Sequence, residues 1–130
     1  GVCKNQNVIE AAFFDESIRL NGYVPSLNLF YSKVDVLLNP VLTQGGLNFK
    51  SVEAMAAGKV LITNPEGGGC LGHPEFLRYI ANENQLEEFV GKLEYDRKFF
   101  VSNARKSQAF ASLKFSDATC YNELLRILCE

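Results

Sequence analysis

The sequence has no block of basic residues, no C-x-x-C pair and a single histidine, His73. It also has no apolar run of about 18 residues, the length that suggests a membrane helix. Each absence removes a class of function. With 13 basic and 15 acidic residues the net charge is −2, so the electrostatic footprint of a nucleic-acid binder is missing. Any phosphate must be held by local geometry rather than by bulk charge. The four cysteines, Cys3, Cys70, Cys120 and Cys129, are scattered, and one histidine cannot complete a zinc site with them. A disulfide framework would be unusual in a chain that is 47% hydrophobic. The cysteines are therefore read as reduced and partly buried, in a cytoplasmic setting. No segment reads as a signal peptide or a membrane span. Association with the inner face of a membrane stays open.

The 130 residues fit one domain, and 22% charged residues is an ordinary globular balance. No repeat, low-complexity tract or linker divides the chain. Three short β-type runs lie beside glycine or proline: Ile18-Arg19-Leu20 before Asn21-Gly22, Val34 to Leu38 before Asn39-Pro40, and Val60 to Thr63 before Asn64-Pro65. The second and third are nearly all apolar, as strands covered on both faces are. Helical patterns alternate with them. Residues 5–14 read weakly as helix. Ser26 can cap a short helix to Ser32. Another runs from Phe49 to Ala57 and stops at Gly58. Later, Asn84 with Glu87 resembles a capping box for a helix through Leu86, Phe89, Val90 and Leu93. Asp96 can cap a helix carrying Phe99, Phe100 and Ala104. Ser116 can cap one with Tyr121, Leu124, Leu125 and Leu128 on one stripe. Strands alternating with helices predict a parallel α/β sheet with right-handed crossovers. Three strands make a thin sheet, so its first strands are expected to be absent.

Residues 39–59 carry the chemistry. A buried strand ends at Asn39-Pro40, a loop with Gly45-Gly46 follows, and a helix begins near Asn48. In open α/β sheets, ligands bind beyond the C-terminal strand ends. A glycine pair lets backbone approach a ligand, and a helix N-terminus offers N–H groups to an anion. Lys50, in the first turn, opposes the helix dipole unless an anion sits there. Glu53 follows by three, so the two can pair. A carboxylate there can also accept both hydroxyls of a ribose. Taken singly, Gly-Gly before a helix is common, and Lys50 and Glu53 read equally as a solvated ion pair. The order strand, Asn-Pro, Gly-Gly, Lys-x-x-Glu-Ala-x-Ala-x-Gly, strand is far more specific than its parts.

That order resembles the C-terminal domain of GT-B retaining glycosyltransferases of the group 1 type. The matching residues are Pro40, Gly45-Gly46, Lys50-Ser-Val-Glu53-Ala-Met-Ala-Ala-Gly58 and Val60 to Thr63. Upstream, Gly22-Tyr23-Val24-Pro25 and the run Leu29 to Val36 are similar to that family's Gly-x-Val, helix, Tyr-x-x-x-Asp-Val pattern. The tail, with Ala104-Arg105-Lys106 and Phe115-Ser116, fits as well. The resemblance covers residues 18–128. It implies that residues 1–130 form one partial, Rossmann-like, C-terminal half-domain, with a parallel sheet flanked by helices, that binds a nucleotide sugar. By resemblance, Tyr23 and Val24 contact the base, and Gly45, Gly46, Leu47 and Asn48 face the diphosphate or donor sugar. Glu53 holds the ribose, and Lys50 lies near the phosphates or supports Glu53. Lys50 and Glu53 are thus the expected catalytic residues. No metal or other cofactor is implied, since the donor is a UDP- or GDP-sugar type of substrate. The acceptor, a glycan, lipid-linked or protein hydroxyl, would be bound through an N-terminal domain.

Two departures from the family pattern stand out. Many relatives carry a glutamate eight positions before the ribose glutamate, and here that position is Gly45. The basic pair that neutralises the leaving diphosphate has no convincing counterpart. The expectation is therefore that this chain alone is inactive. A non-catalytic nucleotide-sugar-binding or scaffold module of the same fold is the alternative. A dinucleotide enzyme is disfavoured by the lack of G-x-G-x-x-G after a first strand. The run from Pro65 to Cys70 reads as a loop on the ligand side that either flanks the donor sugar or is a mobile connection. His73 lacks a fixed carboxylate partner and Cys70 an activating base. Phe99 and Phe100 read as core, and Arg105 and Lys106 as a solvated helix face.

Overall fold

The computed structural model describes residues 5–41, 46–72 and 74–119. Gly45, His73, three of the cysteines (Cys3, Cys120 and Cys129) and the stripe from Tyr121 to Leu128 lie outside the described residues, as does the Cys70 side chain. The elements in chain order are helix α1 (Gln6–Phe14), helix α2 (Leu27–Ser32), strand β1 (Val36–Asn39), helix α3 (Phe49–Ala56) and strand β2 (Val60–Thr63). Helix α4 (Pro65–Gly68), a 3₁₀ turn (Gly69–Leu71), strand β3 (Arg78–Tyr79), helix α5 (Glu83–Tyr95) and helix α6 (Arg97–Lys114) follow.

The strands form one parallel sheet in the order β1-β2-β3. Val36 lies opposite Val60 and Asn39 opposite Thr63, while Ile62 lies opposite Arg78. The fold is thus α/β and Rossmann-like, with helices flanking a parallel sheet. Strand β2 is central and all four of its residues are buried. Because strand side chains alternate between faces, Val60 and Ile62 enter one core with Phe89 and Leu93 of α5. Leu61 enters the other with Met55 of α3, Leu71, Leu77 and Ala111 of α6. Each fully buried aliphatic side chain contributes about 1.5–3 kcal/mol of transfer free energy, so this sandwich fixes the direction of β2.

Helix boundaries follow local chemistry. The Ser26 hydroxyl accepts from Leu29 N at 3.3 Å, and Asp96 accepts from Phe99 N at 2.9 Å, as expected of N-caps. Helix α3 ends in a Schellman motif. Gly58, at φ 70°, donates to Met55 O, and Lys59 donates to Ala54 O, each at 2.9 Å. Helix α1, the weak helix of the sequence, forms with Asn5 as cap and buries no residue. Phe99 and Phe100 pack against the α5-side core, and Arg105 and Lys106 are exposed. Ser116 accepts from Thr119 N at 3.2 Å, as an N-cap there would.

Several expectations are corrected. Ile18-Arg19-Leu20 is not a strand. The chain instead turns at Asp15, which accepts from Ser17 N at 2.9 Å and Ser17 Oγ at 2.7 Å. Ile18 and Leu20 stay exposed. A β-type run becomes a strand only beside a partner, and none of the described strands pairs with this one. The strand of the second run is shifted to Val36–Asn39, and a two-residue strand, β3, joins the sheet unannounced by any alternation. The capping pair lies two residues earlier than expected. Asn82 accepts from Gln85 N, and Gln85 Oε1 accepts from Ala81 N, both at 3.0 Å. Val90 is exposed on α5 rather than part of its inner stripe. The glycine-rich run after Pro65 is not an irregular loop but helix α4 and a 3₁₀ turn, with Gly67 and Gly68 buried.

Gly68 shows why that segment is glycine-rich, since a Cβ there would enter the ring of Tyr79. Gly68→Ala is expected to destabilise the chain by about 1–3 kcal/mol, the usual range for overpacking. Urea unfolding should show a lower midpoint at unchanged slope. An unchanged midpoint would contradict the packing of α4 on β3.

Candidate functional site

The three strands end together at Asn39, Thr63 and Tyr79, and the loop that follows β1 leads to α3. Beside that end of β1 lies a cleft of about 700 Å³. Its walls come from the 21–24 segment, α2, β1 and the first turns of α3. Tyr23, Val24, Lys50 and Glu53, distant in sequence, all line it. Gly46, Leu47 and Asn48 lie in the approach to α3 rather than among the lining residues, and Gly45 lies outside the described residues. Gly46 has φ 39°, in the left-handed region, so glycine is favoured at that turn.

Each wall has a local cause. Gly22, at φ 62°, turns the chain so that Tyr23 and Val24 face the cleft ahead of the Ser26 cap. Tyr23 is 82% exposed, as suits an aromatic residue that stacks on a flat ligand. Asn48 occupies the N-cap of α3 but its side chain makes no capping bond. The N–H groups of the first turn are therefore not consumed by that side chain and stay suited to an anion. Lys50 is exposed in the same turn and Glu53 half-buried in the next.

The structure adds a residue that the spacing arguments missed. Tyr31 of α2 is buried, and its hydroxyl lies 3.5 Å from Glu53 Oε2 and 3.4 Å from Lys50 O. The spacing of Lys50 and Glu53 suggested that they pair with each other. The partner the structure gives Glu53 is the phenol of Tyr31. Both contacts are long, and one phenolic proton serves two acceptors. Burial raises the phenol's pKa above its ordinary 10.0, and the Glu53 charge and hydrogen bond raise it further. The only sequence signal for Tyr31 was its place in the Tyr-x-x-x-Asp-Val run.

A second group of polar residues ties the strand ends. Asn39 Nδ2 donates to the buried Ser51 Oγ at 3.0 Å, joining the end of β1 to α3. Thr63 Oγ1 donates to Asn39 O at 2.8 Å, joining β1 to β2. Neither link has a periodicity signature. Among the described residues no cluster of three histidine, cysteine or acidic side chains is arranged to hold a metal, and no helix is long and apolar enough to cross a membrane.

The Tyr31 shift has a testable sign. Its folded pKa is raised, so the contribution is fully present below the unfolded value near 10 and is lost as pH rises through the folded value. Tyr31→Phe should therefore lose less stability than the parent between neutral pH and pH 11 or so, as read by urea unfolding across that range. Identical pH slopes would show that the phenol titrates alike in both states.

Comparison with protein families matches residues 3–95 to the glycosyl transferases group 1. That stretch contains the 21–24 segment, the cleft and all of α3. Among curated proteins, the chain is 37% identical over 65 residues to an "Uncharacterized 42.6 kDa protein in cps region" from Klebsiella pneumoniae. The aligned part is 50% of this chain and 17% of that protein. No solved structure matches the chain. The family match covers well over half of the sequence and carries the cleft residues with it, so the chain belongs to the group 1 glycosyl transferases.

Proposed function

We propose that the chain is the donor-nucleotide half of a GT-B glycosyltransferase, binding a nucleoside-diphosphate sugar from which a hexose passes to an acceptor hydroxyl with retention. The observation that carries this reading is the convergence of Tyr23, Val24, Lys50 and Glu53 on one cleft at the C-terminal end of a parallel sheet. Tyr23 and Val24 would contact the base, and Glu53 would accept the ribose hydroxyls. The N–H groups of Gly46, Leu47 and Asn48, with Lys50, would meet the diphosphate, with Gly45 beside them. During transfer the bond from the anomeric carbon to the leaving phosphate oxygen would break, one to the acceptor oxygen would form, and the acceptor hydroxyl's proton would pass to the departing phosphate. Negative charge would then grow on the diphosphate, where the start of α3 and the Lys50 ammonium would offset it in place of a metal.

An N-terminal domain would supply the acceptor site (glycan, lipid-linked or protein) and close over the donor, so residues 1–130 alone would bind without transferring. A cytoplasmic enzyme, at the inner face of a membrane where the acceptor is lipid-linked, fits this reading. Gly45, standing where many relatives carry a glutamate, favours a second reading as a non-catalytic nucleotide-sugar-binding module. Such a module would bind nucleotide but gain no transferase activity when joined to an N-terminal half.

Titration with UDP, GDP, ADP and NAD tests the reading. One nucleoside diphosphate should bind saturably, with backbone NMR shifts at Tyr23, Gly46 and Glu53. At 100 times its dissociation constant it should stabilise the fold by about 2.7 kcal/mol. Glu53→Ala should weaken it about tenfold or more, as expected for lost hydrogen bonds to a charged group. Binding of NAD alone, or of no nucleotide by a well-folded chain, overturns the proposal.

A further inference from the structure

We infer that Asn64 is a positioning residue for the phosphate end of the cleft, holding the point at which the chain leaves β1 for the glycine loop. This rests on the donor-site reading above. Pro40 has no N–H to donate, and the β1–β2 ladder stops with Asn39 opposite Thr63. The next residue, Val41, is nevertheless held as if the ladder continued. Val41 N donates to Asn64 Oδ1 at 2.9 Å, and Asn64 Nδ2 donates to Val41 O at 2.7 Å. One carboxamide thus takes both main-chain groups of Val41, as a neighbouring strand would. The same Oδ1 accepts from Gly67 N at 3.2 Å, which caps α4. The amide orientation follows from its partners, since two N–H donors face the oxygen and a carbonyl faces the nitrogen.

The surroundings admit little slack. A Cβ on Gly67 would collide with Thr63 Oγ1 and lie 3.1 Å from Asn64 Oδ1 and 3.0 Å from Val41 Cγ2. Glycine at 67 therefore lets α4 close onto this knot. Asn64 holds Val41, just beyond the end of β1, and the Asn39–Ser51 bond holds α3 to β1. Removing the Asn64 amide releases Val41 and the Gly67 N–H and leaves the Asn39–Ser51 bond in place. Tyr23 and Val24 lie ahead of α2 and Glu53 lies within α3, so the nucleoside end of the cleft should be insensitive to Asn64, while the approach to α3 through Gly46 and Leu47 at the diphosphate end should not.

The test compares Asn64→Ala and Asn64→Asp with the parent, using the nucleoside diphosphate that binds and its nucleoside. Alanine removes both bonds to Val41. Aspartate keeps the acceptor for Val41 N and Gly67 N, and with it the α4 cap, but loses the bond donated to Val41 O. In Asn64→Ala the affinity ratio of diphosphate to nucleoside should fall about tenfold, the effect of one or two lost hydrogen bonds. The nucleoside constant should hold within about twofold. Asn64→Asp should lie between. Hydrogen exchange should show the Val41 amide protected in the parent and in Asn64→Asp, and unprotected in Asn64→Ala. An unchanged ratio in folded variants overturns the inference and leaves the donor-site reading standing. Loss of folding in both variants overturns it too, by assigning Asn64 to the fold alone. A parent that binds no nucleoside diphosphate overturns the donor-site reading itself, and the inference with it.

Discussion

Strand β2 is buried on both faces, and that constraint positions almost everything else. Val60 and Ile62 face α5 while Leu61 faces α3 and α6, so neither layer can slide without exposing apolar surface. Parallel strands need cover on both sides, and β2 has it along its whole length. Its C-terminal residue, Thr63, then becomes a fixed post. Thr63 Oγ1 holds Asn39 O, and the adjacent Asn64 holds Val41. The end of β1 is located through β2, and the cleft is located through β1.

The cleft is therefore a consequence of strand termination. Pro40 stops the backbone ladder, and side-chain amides and hydroxyls take over where main-chain pairing ends. Such groups fix the chain without occupying the N–H donors of the next helix. At the start of α3 the Asn48 side chain makes no capping bond, and Gly46 takes the left-handed turn ahead of it. Partly buried hydrogen bonds such as those at the strand ends are costly to leave half-made. Glycine at 67 and 68 is the steric condition that lets α4 pack closely enough to complete them.

Tyr31 has a comparable part on the other wall. It brings α2 into contact with α3 through a buried ring and a hydroxyl beside Glu53. The carboxylate so held is polar, half-buried and open to the cleft. On the donor-site proposal, that carboxylate is the acceptor a ribose diol would meet.

The amino-acid order by itself determined the apolar strands, read at residues 34–38 and 60–63, the caps at Ser26 and Asp96, and the α3 stop at Gly58. These depend on local rules: apolar runs for covered strands, side-chain oxygens for orphan N–H groups, and a left-handed residue to end a helix. It also singled out Tyr23, Val24, Lys50 and Glu53 as candidates from a motif read as a whole, and the structure brings those four to one cleft. Pairing and long-range packing were decided only in three dimensions. Ile18 to Leu20 has the composition of a strand but no partner, whereas Arg78 and Tyr79 lack the pattern and pair with Ile62 and Thr63. The glycines after Pro65 suggest freedom, yet the ring of Tyr79 and the hydroxyl of Thr63 confine them. Tyr31 beside Glu53 is a contact across 22 residues, and Asn64 beside Val41 one across 23. Separations of that size leave no periodic trace, because they exist only once the sheet has brought both segments to the same edge.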